Sequence, residues 1–259
     1  MSQLTSATTT AADQIAYLDT AAATAVGRDY KKHVVDVLDL RPGHAVVDIG
    51  CGPGTDLGRL ADAVQAGGRV IGVDRDARML AEAGRRLSDR PRIDLRAGDA
   101  HALPLDDTSM DRARIDRVLM HVADPATVLA EVRRVLRPGG VVAMAEPDWD
   151  TLAVADEDVS TSRRFARFVA GRVRNPTIGR ELIRLSARAG LRVRSVEAIA
   201  VVFRDFDTAD RILGLERNSA RAVAAGELTD ADAQPWLRRL TDGPLLAGFT
   251  LYLVTAEAA

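Results

Sequence analysis

Residues 45 to 55, Ala-Val-Val-Asp-Ile-Gly-Cys-Gly-Pro-Gly-Thr, decide the fold. Val46, Val47 and Ile49 follow one another too closely for a polar face, as in a parallel strand buried on both sides. Asp48 interrupts them, and a carboxylate there needs donors, from the adjoining loop or from a ligand, because an unpaired buried charge is costly. Gly50, Gly52 and Gly54 tolerate positive φ and leave the backbone bare for a ligand to approach. Thr55 and Asp56 are N-cap candidates for the segment that follows.

The dinucleotide fingerprint places its third glycine three residues after the second, a position that holds Thr55 here. The acid ahead of the first glycine would also repel a diphosphate, whereas it suits a ligand with an amino group. A tight turn with no ligand remains the plain alternative for this stretch alone. The next strand, Arg69 to Val73, ends in Asp74, where a carboxylate can take both hydroxyls of a ribose. A third segment closes on Gly98-Asp99-Ala100, followed by Leu103-Pro104.

In that order these three features resemble the class I S-adenosylmethionine-dependent methyltransferases, in particular the small-molecule branch with the ubiquinone and menaquinone C-methyltransferases. The resemblance covers roughly residues 15 to 200. It implies that Asp48, Gly50, Cys51, Gly52 and Gly54 hold the methionine part of S-adenosylmethionine, Asp74 its ribose, and Gly98, Asp99 and Ala100 its adenine edge. It also implies that Arg75 and Met79 flank the ribose and adenine and that Asp116 belongs to the cofactor set. S-adenosylhomocysteine is the expected product.

Outward from that core, strand and helix alternate. The first glycine turn leads into a helix from Thr55 to about Ala66. A helix through Met79 to Leu87 follows the second strand, and a third strand lies near Ile93 to Arg96. Residues 111 to 119 read as a fourth strand, Asp124 to Leu136 as a helix, and Val141 to Ala145 as a fifth strand. Helical crossovers predict a Rossmann-like, doubly wound α/β fold with a mostly parallel sheet, whose ligands sit at the strands' carboxyl ends. Residues 191 to 206 give a sixth strand and Phe249 to Thr255 a seventh, antiparallel in the family. The chain reads as one domain, residues 1 to 259, with a helical cap over 13–40, a helical insertion over 150–175 and a helical lid over 207–243. Residues 1 to 12, rich in Thr, Ala and Ser, read as disordered.

With 35 basic and 37 acidic residues the net charge is −2, which leaves no electrostatic footprint for nucleic acid. Lys31 and Lys32 are the only lysines, which we read as coding bias. Cys51 is the only cysteine, so no intrachain disulfide forms, and a catalytic thiol has no histidine beside it. No run of about 18 apolar residues exists, so the expectation is a soluble, cytoplasmic protein without a membrane segment. No cluster of metal ligands is visible. Homodimerisation is an expectation from the cap and lid segments.

His121, after the fourth strand, and Asp148, in Glu146-Pro147-Asp148-Trp149 after the fifth, are the candidate catalytic groups. On the resemblance both face the transferred methyl group, and either could take a proton. The plain readings are a packed ring for His121 and a loop cap for Asp148. Tyr17 and Trp149 are candidate substrate contacts, and Tyr17, Arg28 and Tyr30 are either lid contacts or a solvated face with core aromatics. The predicted function is methyl transfer to a small-molecule acceptor, of natural-product or secondary-metabolite type. The alternatives are a cyclase that retains the cofactor and a nucleic-acid methyltransferase. The last lacks an Asn-Pro-Pro-Tyr-like signature, since Ile115-Asp116-Arg117 stands there.

Overall fold

The computed structural model describes residues 11–90 and 92–259, so the start expected to be disordered lies, up to residue 10, outside the described residues. Seven strands form one sheet: β1 (Ala45–Ile49), β2 (Arg69–Asp74), β3 (Ile93–Ala97), β4 (Met110–Asp116), β5 (Leu136–Val154), β6 (Leu191–Phe203) and β7 (Ala247–Ala258). Their spatial order is β3-β2-β1-β4-β5-β7-β6. β1 pairs in parallel with both β2 and β4, and β4 in parallel with β5. β7 slots between β5 and β6, antiparallel to each. The fold is thus the doubly wound, Rossmann-like one that the alternation implies. The order of connection reverses between β1 and β4, which opens a crevice above their carboxyl ends.

Every residue of β1 is buried, which explains its unbroken apolar run. The helices α3 (Leu57–Val64), α4 (Ala77–Arg86) and α5 (Pro125–Val135) are the crossovers, and their starts are chemically marked. Asp76 accepts from the Arg78 N–H and Asp124 from the Ala126 N–H, each at 2.9 Å, with Pro125 in the first turn of α5. Asp56 occupies the cap position of α3 but makes no capping bond, because its carboxylate is engaged elsewhere.

Three segments differ in detail from expectation. The N-terminal segment is two helices, α1 (Ala11–Ala23) and α2 (Ala25–Val37), because Thr24 turns extended and its hydroxyl accepts the Gly27 N–H at 2.9 Å, starting a second helix. Residues 150 to 154 are strand, not helix: Ala153 and Val154 pair with Gly248 and Ala247 of β7, and the alternate residues Leu152 and Val154 are buried. Helix α6 (Val159–Ala170) begins only after this extension, and α7 (Ile178–Arg188) follows it. The last insertion holds three helices, α8 (Phe206–Leu213), α9 (Leu215–Ala224) and α10 (Asp230–Asp242). Trp236 of α10 anchors them, its ring 4.9 Å from that of Phe165 and its indole N–H donated to the Ser162 hydroxyl at 2.9 Å. Arg164 pairs with Asp232 and Arg239 with Asp156 across the same seam.

Candidate active site

The glycine turn is fixed from below by the end of β2. The N–H groups of Gly50 and Cys51 both donate to the Val73 carbonyl, at 2.7 and 3.0 Å, and the Gly52 N–H donates to Asp74 Oδ2 at 2.8 Å. Gly50 has φ +72°, and a Cβ there would lie 2.4 Å from Val118, so side chains are excluded on steric as well as conformational grounds. Gly52 faces Leu18 of α1: a Cβ there would sit 3.6 Å from the leucine. The first cap helix therefore lies over the turn, and Asp19 of α1 latches it to α4 through two 2.8 Å bonds to Arg86.

Asp74 keeps a partly exposed carboxylate beside this turn, its second oxygen accepting the Asp76 N–H at 2.9 Å. Arg75, next along, is exposed. The Gly98-Asp99-Ala100 turn follows β3, where Asp99 accepts the His101 N–H at 2.9 Å. His101 in turn accepts the Asp124 N–H at 3.2 Å, tying this turn to the start of α5. Met79 is 2 % exposed and packs into the protein, so its predicted place flanking the adenine is not on an open surface. Burial, with Asp48 and Asp74 nearby, pushes the Cys51 thiol far above its ordinary value, which makes the sulfur inert packing.

Beneath the turn lies a buried charge network that the motifs do not announce. Asp48, 1 % exposed, is turned inward to Arg114, whose Nη1 donates to it at 2.9 Å. The other terminal nitrogen of Arg114 reaches Asp56 at 2.7 Å and Asp116 at 2.6 Å. Lys31 of α2 donates to the same two acids, at 2.6 and 2.8 Å. Asp48 and Asp116, expected to touch the cofactor, are here held by buried cations: Arg114 bonds one oxygen of Asp48, and Arg114 and Lys31 share one oxygen of Asp116. The lysine read as coding bias pins the cap segment to the glycine turn. Its signal was its place on the buried face of α2 with Gly27, Tyr30, Val34 and Val35.

The loop after β4 is equally constrained. Arg117 takes φ +57°, and its N–H donates to the Ala145 carbonyl at 2.9 Å. Glu146, fully buried in β5, accepts the N–H groups of Val118, Leu119 and Met120 at 2.8, 2.7 and 3.3 Å. Burial pushes its carboxyl up to about 8, against these three N–H groups, which favour the charged form. On the far side, the Asn175 amide donates to the carbonyls of Leu119 and Val122. His121 is carried at the end of this clamped loop.

An apolar cavity of about 440 Å³ opens there, between α1, α2, α8 and the ends of β4 to β7. Tyr17, Met120, His121, Trp149, Phe203 and Phe249 line it, with Trp149 stacked on Phe249 at 4.8 Å. His121 is exposed on its outer side, but the loss of hydration from protein packed around it, then the positive fields of Arg117 and Arg75, hold its pKa below the ordinary histidine value. No hydrogen bond to the ring is present among the described residues. Asp148 is not in this cavity. The pleat that turns Pro147 and Trp149 toward it turns Asp148 to the other face, where Arg180 takes both carboxylate oxygens. The expected catalytic acid is therefore a buried ion-pair partner. Arg28 likewise stays outside, its guanidinium bonded to the Ala23 carbonyl.

Among the described residues no group of three or more His, Cys, Asp or Glu side chains is placed to hold a metal ion. Nor is any of their helices long and apolar enough to cross a membrane.

Comparison with known proteins agrees with this fold. Residues 47–144 match the family model described as a methyltransferase domain. A 37.1 kDa protein of transposon Tn4556 from Streptomyces fradiae, itself uncharacterised, is 52 % identical over 95 % of this chain and 72 % of its own length. Demethylmenaquinone methyltransferase from Staphylococcus epidermidis is 32 % identical over 56 % of this chain, and the matched part spans 60 % of that enzyme. The solved structure of the YcgJ protein from Bacillus subtilis shares the fold with a TM-score of 0.67 at 18 % identity, covering 89 % of this chain and 98 % of its own. The chain belongs to the class I S-adenosylmethionine-dependent methyltransferases.

Proposed function

We propose that the protein transfers a methyl group from S-adenosylmethionine to a small-molecule acceptor, of natural-product or secondary-metabolite type, bound in the apolar cavity. The observation that carries this reading is the place of Leu18: the same side chain packs over Gly52 of the glycine turn and lines the cavity. Cofactor site and cavity thus share one wall, as a direct transfer requires. That the staphylococcal relative is named for demethylmenaquinone supports a small acceptor. An exposed basic surface for nucleic acid finds no support in the net charge of −2.

The residues present fit the cofactor. The glycine turn offers bare backbone, Asp74 has lone pairs left beyond its two N–H bonds, and the Asp99–Ala100 turn lies at the neighbouring strand end. Asp74 would take the ribose hydroxyls and Asp99 with Ala100 the adenine edge, while Asp48 serves the turn only through Arg114. S-adenosylmethionine, when bound, supplies a sulfonium methyl group with a good leaving group. The chain's part is to hold the acceptor in line with that methyl and to exclude water, for which orientation supplies up to about 7–11 kcal/mol. His121 at the cavity mouth is the candidate general base.

The test has two arms. In equilibrium dialysis, Asp74→Ala should lose S-adenosylmethionine affinity by about tenfold to a hundredfold, the worth of hydrogen bonds to a charged group. Unchanged affinity would remove Asp74 from the site. Incubation with methyl-labelled cofactor and a small-molecule extract should yield a labelled product by mass spectrometry. Consumption of a metabolite into an unlabelled isomer would instead indicate a cyclase on this fold.

A further inference from the structure

We propose that the ligand of the apolar cavity, the acceptor on the transferase reading above, carries an oxyanion on an apolar body, and that Arg117 receives it. The warrant is an unspent cation. The guanidinium of Arg117 makes no hydrogen bond with any described residue, although its side chain is only 17 % exposed and its Nε is fully buried. Its one ionic contact is at 3.5 Å, to Asp116 Oδ1. That acid is already satisfied, since its other oxygen accepts from both Lys31 and Arg114 and the Tyr30 hydroxyl lies 3.3 Å from Oδ1. Arg114, three residues earlier, shows the contrast: its terminal nitrogens meet three carboxylates.

The cavity around Arg117 holds neutral polar groups, Gln14, Tyr17 and Tyr30, but no anion to complete it. Its lining, drawn from the described residues, contains no Asp or Glu and no cation besides Arg117, apart from what His121 can gain by protonation. The walls are Trp149, Val201, Phe203, Phe249 and Leu251, so water is poorly held there. A second donor faces the same deficit: the indole N–H of Trp149 is buried and has no partner among the described residues, and the residue is 8 % exposed. A neutral hydrocarbon would leave the Arg117 guanidinium unpaired, whereas a carboxylate, enolate or phenolate would make the charge-assisted bonds a planar guanidinium favours. The aromatic walls suit an aromatic or polyene body, and the volume suits one of small-molecule size. The left-handed backbone at Arg117, held by the Ala145 carbonyl, marks a residue whose orientation is imposed.

The cofactor carries a carboxylate of its own, so the experiment must separate the two sources. Titration calorimetry would compare 2-naphthoate with 2-naphthalenemethanol, the same body without charge, on wild type and Arg117→Gln, each with and without S-adenosylhomocysteine. Wild type should bind the acid about tenfold or more tightly than the alcohol, and Arg117→Gln should erase that preference while S-adenosylhomocysteine affinity stays within about twofold. Arg117→Lys, which keeps the charge, should retain part of the preference. No preference in wild type overturns the proposal. So does a preference that survives Arg117→Gln. It also falls if Arg117→Gln loses affinity for S-adenosylmethionine but not for its decarboxylated analogue, since the anion is then the cofactor's. Should wild type prefer the acid yet fail to bind S-adenosylhomocysteine, the anion site stands and the transferase reading fails.

Discussion

Replacing Arg114 with methionine is expected to cost about 3–5 kcal/mol of stability, measured as a lower urea midpoint at unchanged slope. Arg114 is 3 % exposed and bridges Asp48, Asp56 and Asp116, so its removal leaves Asp48 without a cation and the other two acids to Lys31, with Arg117 at 3.5 Å from Asp116. The loss should depend on pH, and the sign is fixed by the acids. Burial pushes all three carboxyls up. At Asp56 and Asp116 the cations Arg114 and Lys31 prevail and hold the folded values below the ordinary range, whereas at Asp48 burial prevails. The first two therefore contribute stability above their unfolded values, lost only as pH falls through the lower folded ones. Without Arg114 all three rise, and acid can neutralise what the cation no longer pairs. The gap between wild type and variant should thus be widest near about pH 7 and shrink toward about pH 4, where ordinary carboxylates titrate. A gap that is constant across that range would mean that lost packing, not stranded charge, is the cause. Adding Asp48→Asn to the variant should recover part of the loss.

What the sequence reveals of this protein and what it hides follow from the range of the interactions. The glycine turn, Asp74 and the Asp99 turn are legible because each is set by a few consecutive residues at a strand's end. The network of Lys31, Asp56, Arg114 and Asp116 is not, since it joins residues on α2, at the cap of α3 and on β4, and two lysines among so many arginines look like composition. Asp48 could be seen to need donors, but not that Arg114 would supply them. Asp148 misleads for a different reason. Which face a strand residue occupies is a matter of parity, and although Glu146-Pro147-Asp148-Trp149 alternates acid and apolar residues, that pattern does not say which face meets the cavity, because Glu146 and Asp148 are both fully buried on the other one. The same parity conceals Glu146, which anchors the His121 loop through three backbone N–H groups.

His121→Asn should lower the rate of methyl transfer by about 10²-fold or more if the acceptor must lose a proton, while cofactor affinity stays as in wild type. The loop that carries the ring is fixed by Glu146 and Asn175 through backbone atoms, so the substitution should not move it. Partial enclosure and the fields of Arg117 and Arg75 lower the ring's pKa, which leaves it neutral, and so able to accept a proton, at about pH 7. In wild type the transfer rate should accordingly be level near neutrality and fall as pH drops through that lowered value. In His121→Asn this acid limb should vanish and leave a small, pH-independent rate from positioning alone. Arg117→Gln removes one of the lowering fields, so with the histidine retained the limb should move to higher pH. A variant at His121 that matches wild type at every pH would assign the ring to packing, and the transfer to orientation without a base.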